Sequence, residues 1–306
     1  MKTNFTHYKK QILTVALILA TAFTATAQRK PASLGREEYI EVEKNVKLHV
    51  TDLGEGKPVV LIHGWPLSDA MYEYQYATLL QNGYRVIGIT LRGFGQSDKP
   101  FGTYSYDVFA DDIKVVLDKL KIENATIGGF SMGGATVIKY VSKYNGAHVN
   151  KLALFGAAAP TWTKRADFNY GLWTKEDVNE LIALNNTNRP QLLANFGQIF
   201  TANASSVPAG IGAWLGGINM QASGYTMGEC LKLLRDSDLR GDLRNIKVPT
   251  LILHGKQDKI CSYDLAEQMK KGIKNATLVS FENSGHALFV EETEKFNTEL
   301  LKFLTN

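Results

Sequence analysis

Short, nearly continuous apolar runs recur along this chain of 306 residues. Such runs are typical of strands that are buried on both faces of a parallel sheet, because helices then cover each side. The runs lie at residues 59–62, 86–89, 125–130, 152–155, 250–253 and 276–281. Two segments with alternating apolar and polar residues precede them, at residues 37–42 and 46–51, and predict an antiparallel pair of strands.

Segments with an apolar spacing of about 3.6 residues separate these runs and predict helices. They cover residues 68–80, 106–120, 135–143, 263–271 and 287–303. Because strands and helices alternate, right-handed crossovers are expected between parallel strands. The fold class predicted is therefore α/β, with a doubly wound, mostly parallel sheet.

The alternation is interrupted once, at residues 161–246, where no run predicts a buried strand. Helical stretches at residues 175–184, 190–200 and 225–234 are separated there by loops rich in Gly and Asn. The many Trp, Phe and Leu residues argue against disorder, and long insertions of this kind are usually functional. We expect a helical cap at residues 161–246, with residues 28–160 and 247–306 forming the two parts of the core.

The first 27 residues have the layout of a secretory signal peptide. Three Lys residues precede an apolar segment at residues 12–23, which is shorter than the roughly 20 residues that a membrane-spanning helix needs. Ala25 and Ala27 are small enough to suit signal peptidase. The sequence predicts cleavage after Ala27, export to the periplasm or the medium, and no stable membrane insertion of the mature chain.

Charge and cysteine content indicate few partners. The formal net charge of +4 falls to +1 when the three Lys of the signal segment are removed, so no nucleic-acid partner is expected. Cys230 and Cys261 either form a disulfide, which export permits, or are small buried hydrophobic residues. The chain has no motif for a metal, a P-loop or a dinucleotide, so no cofactor is expected. Its oligomeric state is left open.

The segment Gly129-Phe130-Ser131-Met132-Gly133 lies between an apolar run and a predicted helix. A strand that turns abruptly into a helix strains the intervening residue, and small residues two positions before and after it prevent a clash. Gly129 and Gly133 occupy these positions. A chance match in a Gly-rich chain is the alternative, but the strand and helix context disfavours it. Ser131 is therefore the candidate nucleophile, placed where a helix N-terminus stabilises negative charge.

A serine hydroxyl needs a base to take its proton, and the base needs an acid to hold it. On a sheet of this kind, the expected chain order is serine, acid, histidine. His286 follows the last predicted strand and is the candidate base. Asp258 follows the strand before it and is the candidate acid. Asp111 and Asp112 are expected on the outer face of a helix.

The other histidines are assigned structural roles. His63 is expected to brace its loop by hydrogen bonding, and His254 lies inside a strand run, where a core or loop-bracing role is expected. His49 and His148 fall on predicted surface segments.

The segment His63-Gly64-Trp65-Pro66 follows the first buried strand. Loops at the carboxyl ends of neighbouring parallel strands converge on one crevice, so this turn is expected to face Ser131. Acyl transfer requires donors fixed where the carbonyl oxygen becomes negative. The backbone N–H groups of Trp65 and Met132 are the predicted oxyanion hole.

At these residues the chain resembles the α/β-hydrolase superfamily, and within it the cofactor-free haloperoxidase, perhydrolase and aryl-esterase branch. The matching segments are VVLIHGWPLS at 59–68, GYRV at 83–86, RGFGQS at 92–97, GGFSMGG at 128–134, VPTLILHG at 248–255 and SGH at 284–286. The resemblance implies that Ser131, Asp258 and His286 form a catalytic triad. It also implies that Trp65 and Met132 are the oxyanion donors and that neither haem nor metal is needed.

One departure from this branch is visible. Thr90 stands where an acidic residue usually precedes the Arg-Gly-Phe-Gly loop that starts at Arg92, which alters the hydrogen bonding expected of that loop. Pro66 resembles the proline associated with peracid formation from a carboxylic acid and peroxide. Ester hydrolysis remains the parent reaction of the branch.

We therefore expect a serine hydrolase that acts on small or aryl carboxylic esters, with peracid formation as a side activity. A carbon–carbon bond hydrolase with the same triad and a non-catalytic ligand receptor are the alternatives. Serine at position 131 disfavours dehalogenases and epoxide hydrolases, which carry a carboxylate there. Four cap residues are expected either to wall an apolar pocket or to form the cap core: Trp162, Phe168, Trp173 and Trp214.

Overall fold

The structure, a computed structural model, describes residues 36–305, so the predicted signal peptide lies outside the described residues. The strands of this part are β1 (Arg36–Glu43), β2 (Val46–Leu53), β3 (Lys57–Ile62), β4 (Tyr84–Ile89), β5 (Ala125–Phe130), β6 (Val149–Phe155), β7 (Thr250–Gly255) and β8 (Ala276–Phe281). They form one sheet in the order β1-β2-β4-β3-β5-β6-β7-β8. β2 is antiparallel to its neighbours β1 and β4. The other six strands, β3 to β8, are all parallel to one another. The predicted fold class is confirmed.

Helices cover both faces of this sheet. They are α1 (Glu73–Gln81), α2 (Tyr106–Lys119), α3 (Met132–Lys143), α4 (Lys175–Phe200), α5 (Ala209–Met220), α6 (Gly224–Asp236), α7 (Arg240–Leu243), α8 (Tyr263–Gly272), α9 (Leu288–Glu291) and α10 (Thr293–Thr305). A 3-10 turn, Asp69–Tyr72, precedes α1. The helix predicted at residues 287–303 is divided into α9 and α10, because Glu292 leaves helical geometry with φ −126° and ψ 54°.

The core lies on the two faces of the sheet. Every residue of β5 and β7 is buried, as expected for central parallel strands. One apolar cluster contains Ile113 of α2, and a second contains Phe296 of α10. Burial of one such side chain contributes roughly 1.5–3 kcal/mol to folding. This packing fixes the strand ends, and with them the loops that leave the carboxyl edge of the sheet.

The helices α4 to α7 lie between β6 and β7, in the segment predicted to be a cap. The two helices predicted at residues 175–184 and 190–200 are joined as α4, which is kinked at Asn188 two residues before Pro190. The side chain of Asn188 accepts a hydrogen bond from the backbone of Gln191, so it caps the second half of this helix. The boundaries of the cap as a domain remain a prediction.

Helix α5 lies in a segment for which the sequence predicted no particular helix. The helix contains four glycines, at positions 210, 212, 216 and 217. Each glycine lowers helix propensity by roughly 1 kcal/mol relative to alanine, so the local sequence favours a loop. Tertiary packing through the buried side chains of Leu215 and Ile218 outweighs this preference.

The two cysteines are buried and are not joined by a disulfide. Burial raises the pKa of both thiols well above the usual range. They are therefore small buried residues, as the second alternative proposed. Separately, no helix in residues 36–305 combines the length and apolar character needed to cross a bilayer.

Candidate active site

Ser131 lies at the turn between β5 and α3, with φ 53° and ψ −119°. A residue with a side chain rarely adopts a positive φ, so this backbone is strained. Four hydrogen bonds hold it: the Ser131 N–H donates to the Phe155 carbonyl at 2.9 Å, and the Ser131 carbonyl accepts from Gly134 at 2.9 Å, Ala158 at 3.0 Å and Ala135 at 3.3 Å. The candidate nucleophile is therefore fixed from both β6 and α3.

The glycines on either side of Ser131 are required by close approach. A Cβ atom built on Gly129 would lie 2.3 Å from the Gly133 carbonyl oxygen, and one built on Gly133 would lie 2.3 Å from the His63 carbonyl oxygen. Both distances are far below a normal contact. The steric reason given for Gly129 and Gly133 from the sequence is confirmed.

Asp258 and His286 form a buried pair at the ends of β7 and β8. Nδ1 of His286 lies 2.7 Å from Oδ2 of Asp258, and Oδ1 of Asp258 accepts hydrogen bonds from the backbone of Ile260 and Cys261 at 2.8 Å each. Burial raises the pKa of the Asp258 carboxyl, but the His286 and His254 rings offset this and hold the pKa well below its usual range. The ionised carboxylate favours a proton on Nδ1 of His286, which leaves Nε2 as an acceptor.

His286 lies at the same edge of the sheet as Ser131. Its ring packs on the ring of Phe130, the residue before Ser131, with centroids 4.6 Å apart. A Cβ atom built on Gly156, next to the Phe155 carbonyl that binds Ser131, would lie 3.4 Å from Nδ1 of His286. Among the described residues, no hydrogen bond joins Oγ of Ser131 to Nε2 of His286. In hydrolases without substrate this contact is often long and tightens when substrate binds.

The predicted oxyanion donors flank Ser131. A Cβ atom built on Gly64 would lie 2.9 Å from Cβ of Ser131, so glycine allows the loop that carries Trp65 to contact the turn. Met132 is the first residue of α3, where a helical N–H has no partner within its own helix. In the part of the chain that the structure describes, neither the Trp65 nor the Met132 N–H donates to a carbonyl. Both amides are available to a ligand.

His63 braces the loop after β3, as predicted. Its Nδ1 lies 2.8 Å from the Gly64 carbonyl oxygen, and its Nε2 accepts a hydrogen bond from the Leu91 N–H at 3.0 Å. Complete burial lowers the pKa of His63 to about 4, so the ring is neutral at physiological pH. The ring therefore ties the loop that carries Trp65 to the loop after β4.

His254 supports the loop that carries Asp258. Its Nε2 lies 2.8 Å from the Cys261 carbonyl oxygen and 3.4 Å from Oδ2 of Asp258. The predicted loop-bracing role is confirmed. The thiol of Cys261 was not predicted to belong to the site, yet it neighbours the Ser131 hydroxyl, which partly offsets the rise in its pKa caused by burial.

The prediction that His49 lies on a surface segment is wrong. His49 is only 4% exposed, and its Nδ1 lies 3.6 Å from Oδ1 of Asp69. The carboxylate of Asp69 also accepts hydrogen bonds from the hydroxyls of Thr51, Tyr76 and Thr90. Asp69, in the 3-10 turn, therefore places a carboxylate beside Thr90, the position at which the sequence departs from the branch. His148, by contrast, is partly exposed.

The prediction that Asp112 lies on an outer helix face is also wrong. Asp112 is 2% exposed, and its carboxylate accepts two hydrogen bonds from Arg92, from Nε at 2.7 Å and from Nη2 at 2.6 Å. Glu43 accepts a third at 2.9 Å. Asp111 does lie on the outer face, where it pairs with Lys143. Asp112 therefore anchors the loop after β4 and has no contact with His286.

Two of the four aromatic residues singled out in the cap segment hold the loop that carries Asp258. The indole N–H groups of Trp162 and Trp173 both donate to the Ile260 carbonyl at 2.9 Å. Phe168 and Trp162 are both buried in the apolar cluster that contains Ile113. Trp214 lies outside this cluster and packs edge to face on Tyr74. None of the four lines the large cavity beside Trp65, which is lined instead by parts of α4 and α5. The lining residues of α4 lie in the helix predicted at residues 190–200, whereas those of α5 lie in a segment for which no helix was predicted.

A metal ion has no obvious ligands in residues 36–305, where no three His, Cys, Asp or Glu side chains are grouped to hold one. What the arrangement offers instead is a hydroxyl, an imidazole–carboxylate pair and two unoccupied amides at one edge of the sheet. These groups are suited to acyl transfer.

Comparison with known proteins identifies the class. Residues 57–293 match the family model for the alpha/beta hydrolase fold. The chain is 46% identical over 265 residues to YisY, an AB hydrolase superfamily protein of Bacillus subtilis, covering 87% of this chain and 98% of YisY. It is 34% identical over 272 residues to a putative non-heme chloroperoxidase of Synechocystis sp., covering 86% and 97%.

A solved structure is also similar. An esterase from Exiguobacterium antarcticum has a TM-score of 0.86 and 41% sequence identity, and the match covers 89% of this chain and 100% of the esterase chain. The protein therefore belongs to the α/β-hydrolase family, in the branch that includes non-haem haloperoxidases and esterases. It is a hydrolase of that family.

Proposed function

We propose that this protein is a serine esterase that hydrolyses small or aryl carboxylic esters through an acyl-enzyme. The observation that carries the proposal is the strained turn at Ser131, which lies at the same sheet edge as the hydrogen-bonded pair of Asp258 and His286. The likeness to the Exiguobacterium antarcticum esterase supports an ester as the substrate.

In the first step, Oγ of Ser131 attacks the acyl carbon while Nε2 of His286 takes its proton. Asp258, ionised because its pKa is lowered, stabilises the imidazolium that forms. The N–H groups of Trp65 and Met132 donate to the oxyanion of the tetrahedral intermediate. A single donor of this kind is worth about a hundredfold to a thousandfold in rate. The alcohol then leaves with the proton from His286.

In the second step, water replaces the alcohol. His286 takes a proton from water as its oxygen attacks the acyl-enzyme, and the same two amides stabilise the second tetrahedral intermediate. Collapse of this intermediate returns the proton to Oγ of Ser131 and releases the carboxylic acid. The site thereby returns to its starting state without a cofactor.

Peracid formation is proposed as a side activity of the same site. Hydrogen peroxide would attack the acyl-enzyme in place of water, which gives a peracid and the free serine. Pro66, which directly follows Trp65, and the similarity to a putative non-heme chloroperoxidase support this second activity. Peracid-dependent oxidation of iodide, with acetic acid and hydrogen peroxide supplied, measures it.

Hydrolysis of p-nitrophenyl acetate by the Ser131→Ala variant tests the proposal. We expect kcat/KM to fall by about a thousandfold or more, because the nucleophile is removed. Ser142→Ala, which changes a serine on the same helix α3 away from the site, is the matched control and is expected to keep wild-type activity. Undiminished turnover in Ser131→Ala would contradict the proposal.

A further inference from the structure

A cavity of about 680 Å³ lies beside the loop that follows β3. Its walls come from residues 65–67, from the second half of α4, from the loop at residues 201–208 and from α5, and none of the described residues lining it is charged. Pockets of roughly 300–1,000 Å³ with mostly apolar linings bind small organic ligands. The absence of charge in the walls disfavours an anionic or cationic ligand, because a buried charge without a partner is costly.

Three glycines of α4 and α5 contribute to the cavity walls. Gly197 of α4 and Gly212 and Gly216 of α5 all line the cavity, and a Cβ atom built on any of them would meet no atom within 4 Å. Any side chain at these positions would therefore enter the open space without displacing the protein. Gly217 also has open space around its Cβ position, but it does not line the cavity.

The cavity reaches the proposed catalytic site through two of its lining residues. Trp65, whose amide is a proposed oxyanion donor, lines it, and its ring packs edge to face on the lining residue Phe196 at 5.0 Å. Phe200, another lining residue, has its ring centroid 5.6 Å from that of His286. The carbonyl of Phe200 accepts a hydrogen bond from the backbone of Ala287 at 2.9 Å, which fixes this wall beside the histidine.

From this arrangement we infer that the cavity binds the apolar acyl chain of a medium-chain ester. The inference rests on the proposed function. Neither Ser131 nor His286 lines the cavity, and the ring of Phe200 separates it from His286, which must contact the leaving alcohol to protonate it. The loop that carries Trp65, by contrast, borders the cavity directly. The acyl chain therefore extends along this loop into the cavity, and the alcohol leaves on the histidine side.

Chain-length preference tests the inference. For the wild type and two variants, kcat/KM is measured with p-nitrophenyl octanoate and p-nitrophenyl acetate, and the ratio of the two values is compared. Gly216→Leu places a branched side chain in the cavity where the acyl chain is proposed to lie, so the octanoate-to-acetate ratio is expected to fall at least tenfold. Gly217→Leu places the same side chain at the adjacent position outside the cavity, and its ratio is expected to stay within twofold of the wild type. Gly212→Leu, one helical turn earlier, is expected to repeat the effect of Gly216→Leu.

The outcomes separate this inference from the proposed function. An unchanged ratio in both Gly216→Leu and Gly212→Leu, or an equal fall in Gly217→Leu, would overturn the inference while hydrolysis of the acetate by Ser131 still stood. Hydrolysis of octyl acetate is the second comparison: a selective loss there, with the octanoate ratio intact, would place the alcohol in the cavity and overturn the assignment. If no ester is hydrolysed in a Ser131-dependent way, the proposed function and this inference fall together. Melting temperatures show that each variant is folded.

Discussion

Nδ1 of His286 lies 2.7 Å from Oδ2 of Asp258, although the two residues are 28 positions apart in the chain. The strands that precede them, β7 and β8, are parallel neighbours, with Gly255 paired to Phe281 at their carboxyl ends. The two loops therefore leave the sheet side by side. The strand register itself brings the carboxylate to the imidazole.

Removal of the carboxylate is expected to lower activity without unfolding the protein. In Asp258→Asn, the amide no longer favours a proton on Nδ1 of His286, and kcat is expected to fall by about a hundredfold to ten-thousandfold. Asp264→Asn, a change in the first turn of α8, is the control and is expected to remain active. Steady-state kinetics with p-nitrophenyl acetate make the comparison, and equal kcat values for the two variants would contradict the role of Asp258.

Acid stability is expected to depend on His63. Its pKa is about 4 in the folded protein because of burial, and about 6.5 in an unfolded chain, so the unfolded state binds more protons between these values. The contribution of neutral His63 to the free energy of unfolding is fully present above pH 6.5. It is lost as the pH falls toward 4, by about 3 kcal/mol in total. Urea unfolding of the wild type and of His63→Gln at several pH values measures it. The free-energy difference between the two proteins should shrink toward pH 4; a constant difference would contradict the prediction.

Glu291 is expected to position His286 through the backbone. Its carboxylate accepts hydrogen bonds from the N–H of Gly285, next to His286, at 2.8 Å and from the N–H of Ala202 in the cap segment at 2.7 Å. In Glu291→Gln, the side-chain amide group would face one of these donors, which costs about 1–3 kcal/mol. We expect kcat to fall about tenfold while KM changes less than twofold. The exposed Glu294→Gln is the control, and a change confined to KM would argue against positioning.

Asp69 and Thr90 are expected to be energetically coupled. Thr90→Asp alone would bury a second carboxylate beside Asp69, with a cost of about 2 kcal/mol or more. Combining it with Asp69→Ser leaves one carboxylate in the network, so the double variant should be more stable than the sum of the single changes predicts, by about 1–3 kcal/mol. Urea unfolding of all four proteins gives the coupling. Additive effects would show that the carboxylate at position 69 does not replace the one missing at position 90.

The sequence predicted most of the core and its candidate site because the relevant signals are local. The turn at Ser131 depends on Gly129 and Gly133, and these positions can be recognised without knowledge of the packing. The chain order of strands likewise placed Asp258 and His286 after neighbouring strands.

The sequence predictions failed where contacts between residues far apart in the chain determine burial or helix formation. Asp112 resembles a surface residue on α2, but it is buried and paired with Arg92, 20 positions away. His49 is buried by the edge strands and the Asp69 network. Helix α5 forms against its own glycine content, because tertiary packing outweighs propensity. The cavity could not be predicted for the same reason.

The most direct test of the central claim is labelling with a fluorophosphonate, followed by mass spectrometry of the modified peptide. The probe bonds to a serine oxygen that an adjacent base has activated. We predict a single adduct on Ser131 in the wild type, no adduct in Ser131→Ala, and labelling at least a hundredfold slower in His286→Ala. Labelling of Ser131 at the wild-type rate in His286→Ala, or modification of a different residue, would contradict the account.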